Sequence, residues 1–271
     1  MIREIACVFK IRPDAKQNHS ILKILEDLIM IINGKEYTRE NIGKIFDYAL
    51  LSSDVTQSMV EEHVKRAIRY NVNGVYCNPH WVPLIADMLD GTGIETGLVP
   101  DFPFGAATTK MKLHELKEMC EIMKGRPAAI DFVINIAALK DGKYDLFFNE
   151  AKEIVDMGHS YGYQVKAIME NASLSDQEIA MGCQYVSKAG VDWVKAATGR
   201  AASPRMDTIK IMRANIPDHV RIKFAGYGTY GLTQLTIMGL VTGAELFGTG
   251  YAHEIIEEIE KNYKNLVIHT K

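Results

Sequence analysis

From about residue 45 onward, short and almost continuously apolar runs alternate with longer amphipathic stretches. The short runs occupy 45–51, 74–77, 95–101, 129–136, 163–169, 192–197, 220–225 and 244–248. Runs of this length, apolar on both faces, predict strands buried on both sides, and those belong to parallel sheets covered by helices. The stretches between them carry apolar residues at helical spacing. Two of them open on helix-start signals, Ser53-Asp54 ahead of Gln57 and Val60, and Ser173 to Asp176 ahead of Glu178. Side chains of this kind accept from the first free backbone N–H groups of a helix.

Eight strand–helix units over roughly 220 residues predict a closed (β/α)8 barrel rather than an open doubly wound sheet. No GxGxxG opens the first unit, which argues further against a dinucleotide-binding sheet. Residues 1–40 read as an N-terminal helical extension, one or two helices packed outside the barrel or across its N-terminal face, and 41–271 as the barrel domain. No linker, low-complexity tract or internal repeat marks a further domain.

Composition narrows the function classes. A balance of 31 basic against 34 acidic residues, with no long block of one sign, speaks against a nucleic-acid or polybasic membrane partner. The stretch 21–32 is too short and too charged to span a bilayer, and the N-terminus has no clean signal-peptide core. Cys7, Cys77, Cys120 and Cys183 are scattered without metal-ligand or disulfide spacing, as expected of reduced thiols in a cytoplasmic protein.

The anomaly is polar. Lys166, Lys195 and Lys223 stand inside the fifth, sixth and seventh apolar runs. An ammonium is costly to bury without partners, and a single strand lysine can snorkel at a barrel rim. Three in consecutive strands instead converge on one interior, where burial and mutual repulsion disfavour protonation. A lysine so placed offers a free amine that attacks carbonyls. Asp131 in the fourth run, Glu170 after the fifth and Asp47 in the first supply carboxylates for proton transfer. Glycine-rich segments follow the same strands: 196–200, 226–231 and 248–250. Backbone N–H groups at this end of a barrel commonly hold phosphate, and Arg200 adds a charge.

These residues resemble the deoxyribose-phosphate aldolase family. Trp193-Val-Lys-Ala-Ala-Thr-Gly199 is similar to its Schiff-base strand, and Ile222-Lys-Phe-Ala-Gly226 to the strand bearing its second lysine. Ile130-Asp-Phe-Val133, Val165-Lys-Ala-Ile-Met-Glu170, Val75-Tyr-Cys-Asn-Pro79, Val99-Pro-Asp-Phe-Pro-Phe-Gly105 and the Asp47 strand follow in the family's order. The resemblance implies Lys195 as the imine-forming residue, Lys223 as the group that keeps its pKa low, and Asp131 in a proton relay oriented by Lys166. It implies Asp47 as a substrate-side acid, Cys77 as a candidate at the substrate edge, and Thr198, Gly199, Arg200, Gly226 and Gly250 around substrate and phosphate. A plain buried hydrophobe is the other reading of Cys77. The implied activity is class I cleavage of 2-deoxy-D-ribose 5-phosphate to D-glyceraldehyde 3-phosphate and acetaldehyde, with no metal or organic cofactor.

The chain departs from the family pattern at Ala196 and Ala197, at Tyr48 and Ala49, at Tyr227, and at Gly248-Thr-Gly-Tyr251, all expected around the substrate. Two alternatives therefore stay open: a Schiff-base aldolase for a different sugar phosphate, and a non-catalytic barrel that binds phosphorylated sugars. Barrels of this kind often pair as homodimers, and no motif here fixes an interface.

Overall fold

In the computed structural model, residues 28–228 and 230–269 are described. The described chain opens with β1 (Leu28–Ile32) and β2 (Lys35–Thr38), an antiparallel pair. The barrel strands follow as β3 (Phe46–Leu50), β4 (Gly74–Cys77), β5 (Glu95–Leu98), β6 (Ala128–Val133), β7 (Gln164–Ile168), β8 (Trp193–Lys195), β9 (Arg221–Ala225) and β10 (Leu246–Thr249). Each pairs in parallel with its sequence neighbour, and β10 returns to β3 to close the ring. The eight expected runs map one to one onto these strands, with ends shifted by a few residues. A last strand, β11 (Leu266–Ile268), leaves the barrel and adds to β1.

The expectation of helices over residues 1–40 is corrected for 28–38, which form β1 and β2; the rest of that segment, up to residue 27, lies outside the described residues. The four residues Lys35-Glu-Tyr-Thr38, of which Tyr37 alone is buried, are too short a strand signal to outweigh the long apolar stretch before it.

Between the strands run α1 (Gln57–Arg69), α2 (Val82–Met88), α3 (Thr109–Met123), α4 (Ile136–Lys140), α5 (Tyr144–Ser160), α6 (Asp176–Ala189), α7 (Thr208–Ala214), α8 (Leu232–Thr242) and α9 (Ala252–Asn262). Ser175 and Glu178 form a reciprocal capping box at the start of α6. At α1 the cap is Thr56, whose side chain accepts from the Met59 N–H, two residues beyond the Ser53-Asp54 signal. The core lies between the strands' outer faces and the helices and is built by residues such as Val75, Ile130, Val165, Val194 and Ile222, each fully buried.

Strand register decides what points into the barrel. Paired residues on neighbouring strands face the same way, so Asp131 beside Lys166, Lys195 beside Lys223, and Gly248 beside Asp47 all project inward. The intervening residues, Tyr48 and Ala196 among them, face the helices. Inward positions also include Gly74, Gly97 and Gly248. A Cβ on Gly248 would lie 3.2 Å from Lys223 Cε, and one on Gly97 only 2.0 Å from the Tyr76 ring. Missing side chains thus make the room that the long interior ones fill.

Candidate active site

Three lysines and two aspartates meet inside the barrel. Lys195 Nζ donates to Asp131 Oδ2 at 2.7 Å, and Lys223 Nζ donates to the same oxygen at 2.7 Å and to Asp47 Oδ2 at 2.6 Å. Lys166 comes from one layer lower, level with Asp131. Its Nζ stands 3.6 Å from Asp47 and 3.5 Å from Asp131, and donates to the Tyr76 hydroxyl at 2.6 Å. Asn73 donates to the other oxygen of Asp47 at 2.8 Å and to Glu95 at 3.1 Å, tying the cluster to the N-terminal mouth of the barrel.

Burial and contact with the carboxylates single out the lysine that gives up its proton most readily. Lys166 and Lys223 are each 1% exposed, while Lys195 is 5% exposed and touches only one carboxylate. Burial pushes Lys195 down to about 8; Asp131 opposes the shift and the neighbouring Lys223 reinforces it. For Lys166 burial again pulls downward, but Asp47 and Asp131 outweigh it and the group stays protonated. Burial alone would raise Asp131, yet Lys195, Lys223 and Lys166 together hold it ionised, well below the usual carboxylate range.

Above the lysines lies a pocket of about 500 Å³ at the C-terminal ends of the strands. Gly248 joins the two levels, since it lines the pocket and packs against both Lys223 and Lys195. Thr198, Gly199, Arg200, Gly226 and Gly250 all border this one pocket. Gly199 and Gly226 have positive φ values of 76° and 80° and pack against each other, a Cβ on Gly226 falling 3.1 Å from Gly199 Cα. The Thr198 N–H donates to Glu170, whose own backbone is left-handed at φ 53° and whose second carboxylate oxygen is buried without a hydrogen-bond partner. Gly250 leads directly into α9, whose first N–H groups face this end of the barrel. On the far side Phe102 brings its ring to 5.9 Å from Lys195 Nζ.

Of the residues singled out from sequence, Lys195, Lys223, Lys166, Asp131 and Asp47 form the buried cluster, and the five loop residues line the pocket. Asp47 sits under the lysines as the counter-ion of Lys223 rather than along the pocket wall. Cys77 is corrected. It follows the inward Tyr76 by one residue, so it faces the helices, 1% exposed, with its thiol pushed up to about 12 by burial. Tyr48 and Ala196 are likewise turned away from the pocket: Tyr48 stacks on His63 and hydrogen-bonds His253. Sequence reasoning passed over Tyr76, Asn73 and the role of Glu170. The parity of β4 would have exposed Tyr76, but a strand apolar on both faces hides its parity.

Among the described residues no group of three or more His, Cys, Asp or Glu is arranged to hold a metal ion, and no helix is long and apolar enough to cross a membrane.

A closed parallel barrel with a depressed-pKa lysine under a glycine-lined, C-terminal-face pocket defines an imine-forming aldolase type of site. No family model matches the chain. Curated relatives do. The deoxyribose-phosphate aldolase of Aciduliprofundum boonei is 34% identical over 222 residues, 81% of this chain and 97% of that protein. That of Caldicellulosiruptor saccharolyticus is 33% identical over 224 residues, 82% of this chain and 99% of its own length. Among solved structures, the tetrameric deoxyribose phosphate aldolase of Aeropyrum pernix superposes with a TM-score of 0.73 at 23% identity, covering 92% of this chain and 99% of that one, a likeness of fold. The chain belongs to the deoxyribose-phosphate aldolase family.

Proposed function

We propose that this protein cleaves 2-deoxy-D-ribose 5-phosphate reversibly to D-glyceraldehyde 3-phosphate and acetaldehyde through an imine on Lys195. The observation that carries the reading is the lowered pKa of the buried Lys195, held in a cluster of three lysines and two aspartates beneath a pocket of sugar-phosphate size. Family membership supplies the substrate.

In this mechanism the unprotonated Lys195 attacks the aldehyde carbon of the open-chain sugar, and loss of water gives the iminium. A base removes the proton of the C3 hydroxyl, the C2–C3 bond breaks, and its electron pair becomes the enamine on C2. Protonation of C2 and hydrolysis of the iminium release acetaldehyde. Asp131 is the proton carrier, acting through water, and Lys166 orients it. Lys223 and its counter-ion Asp47 keep positive charge beside Lys195 and so keep its amine free. Phosphate is assigned to the backbone N–H groups of Gly199, Gly226 and Gly250 with the guanidinium of Arg200, at the end of the barrel where α9 begins. We place the catalytic unit at 41–271, in the cytoplasm, and propose that it works as a homodimer.

A second reading, a different sugar phosphate as substrate, is favoured by Ala49 and Tyr251, which border the pocket at positions where the chain departs from the expected family pattern. Reductive trapping separates the two. The protein is incubated with deoxyribose 5-phosphate and borohydride, and the modified peptide is mapped. An ethyl group on Lys195 supports cleavage of this substrate. An intact sugar on Lys195 keeps the imine and denies the cleavage. An unmodified Lys195 removes the substrate, and a panel of sugar phosphates then tests the second reading.

A further inference from the structure

Asp131 enters the proposed proton transfer with one oxygen already used. Its Oδ2 accepts from both Lys195 and Lys223, whereas Oδ1 is buried and has no hydrogen-bond partner. A buried carboxylate oxygen without a donor costs about 1–3 kcal/mol or more, so something must keep the nearest donor away. That donor is Lys166, 3.5 Å from Oδ1 and outside hydrogen-bonding geometry. Lys166 is held off by Tyr76, whose hydroxyl it reaches at 2.6 Å.

We propose that Tyr76 is a positioning residue of this active site: it holds Lys166 at ion-pair distance from Asp131, short of a hydrogen bond, and so leaves Asp131 Oδ1 open to take the proton from the donor carbon. The inference rests on the aldolase reading above and deepens it. Tyr76 is built into the barrel for the task. Its ring is 2% exposed and lies flat across Gly97, where any Cβ would stand 2.0 Å from the ring, and along Gly74, where one would stand 3.1 Å away. The ring face also meets the Lys223 ammonium, 4.2 Å from its centroid. The phenol therefore fixes two of the three lysines at once, one through its hydroxyl and one through its π face. Its rigid ring gives the hydroxyl one position, which a flexible side chain would not.

The step that Oδ1 serves is balanced within the site. A proton leaves the donor carbon of the iminium for Oδ1, directly or through one water. The C–H electron pair becomes the enamine C=C, and the C=N pair moves onto the Lys195 nitrogen. In the cleavage direction the same oxygen returns the proton to the enamine carbon.

Tyr76→Phe removes the hydroxyl and keeps the ring. Lys166 then closes onto Oδ1 and occupies it. The expected result is an enzyme whose Lys195 still traps acetaldehyde with borohydride at close to the wild-type rate. Exchange of the acetaldehyde methyl protons with D2O falls at least about tenfold, and kcat for cleavage falls with it while KM holds. Unchanged exchange, or trapping that falls in step with exchange, overturns the proposal. Absence of trapping in the wild-type protein is a different failure, that of the aldolase reading itself. A crystal structure of the wild-type enzyme tests the geometry without any variant. Lys166 on Tyr76 with a water on Asp131 Oδ1 supports it, and a direct Lys166–Oδ1 hydrogen bond overturns it.

Discussion

Removal of Lys223 is the sharpest perturbation of the charge balance at Lys195. Lys223→Met keeps the stem and deletes the ammonium. Two consequences act in the same direction. The positive charge that lowers Lys195 is lost, and Asp131 is left to attract the Lys195 proton with one competitor fewer. The Lys195 pKa must therefore rise. From about 8 the amine is about 9% free at pH 7. A rise of one unit leaves about a tenth of that free amine, and a full return to 10.5 leaves about one part in 300 of it. Burial is the larger cause of the lowered value and survives the substitution, so the rise stops short of the full return. The assay is the initial rate of borohydride trapping of acetaldehyde on Lys195, normalised to free lysine and followed from about pH 6 to about pH 10.5. Wild-type and variant profiles should converge at the alkaline end, where both amines are free. Parallel profiles with the same midpoint, or a midpoint moved toward acid, would refute the charge-balance account.

Lys195 itself should be a stability liability. Its folded pKa lies below the unfolded value, so the cost of burying it applies in full below pH 8 and is relieved as pH rises toward 10.5. That cost is about 3 kcal/mol, and Lys195→Met should be more stable than wild type at pH 7, with the gap in denaturant midpoint closing at alkaline pH. His63, stacked on Tyr48 and pushed down to about 4 mainly by burial, acts at the other end. The unfolded chain binds this proton more readily, so stability is lost as pH falls from 6.5 toward 4, by about 3 kcal/mol. His63→Phe should show a smaller drop in urea midpoint between neutral and acid pH. Gly97→Ala forces a Cβ into the Tyr76 ring and should destabilise by about 1–3 kcal/mol. Combined with Tyr76→Ala it should be non-additive by more than about 1 kcal/mol in a double-mutant cycle of thermal unfolding.

Much of this was legible in the chain because barrels write themselves as a repeating contrast. Runs apolar on both faces, spaced by amphipathic stretches, are what parallel strands under helices require, and all eight were found. The three lysines were conspicuous because charge inside such a run has no inexpensive explanation. Direction was the information that the runs withheld. A strand apolar on both faces does not reveal which residues look inward, and in β4 that ambiguity put Cys77 forward and left Tyr76 unnoticed. Asn73 and Glu170 were hidden for another reason: both act from positions just outside strands, through backbone and side-chain contacts that only the closed ring creates. The segment 28–38 reads as helix because a four-residue strand with one buried position carries little weight beside a longer apolar stretch.

Strand parity also sorts the places where this chain departs from its family's pattern. Tyr48 and Ala196 face the helices, so their identity is a matter of packing: Tyr48 is committed to His63 and His253, and Ala196 to the outer core. Tyr227 turns its ring back onto Phe224 and its hydroxyl toward Thr236, which spends it on structure although its backbone borders the pocket. The departures whose side chains border the pocket reduce to Ala49, Thr249 and Tyr251. Ala197, fully buried, packs against Gly226 behind the pocket lining, and Ala49 lies beside Tyr76 in register at the pocket floor. At Ala49 the pocket presents a methyl group. Tyr251, 41% exposed at the pocket edge, and Thr249 add hydroxyl groups there. None of the three touches the charges that set the Lys195 amine. Substrate choice and amine activation therefore occupy separate layers of this barrel, the first free to vary while the second is held by Asp131, Asp47 and the lysines around them. Changes at Ala49 or Tyr251 should move KM among sugar phosphates and leave the pH midpoint of imine formation where it is.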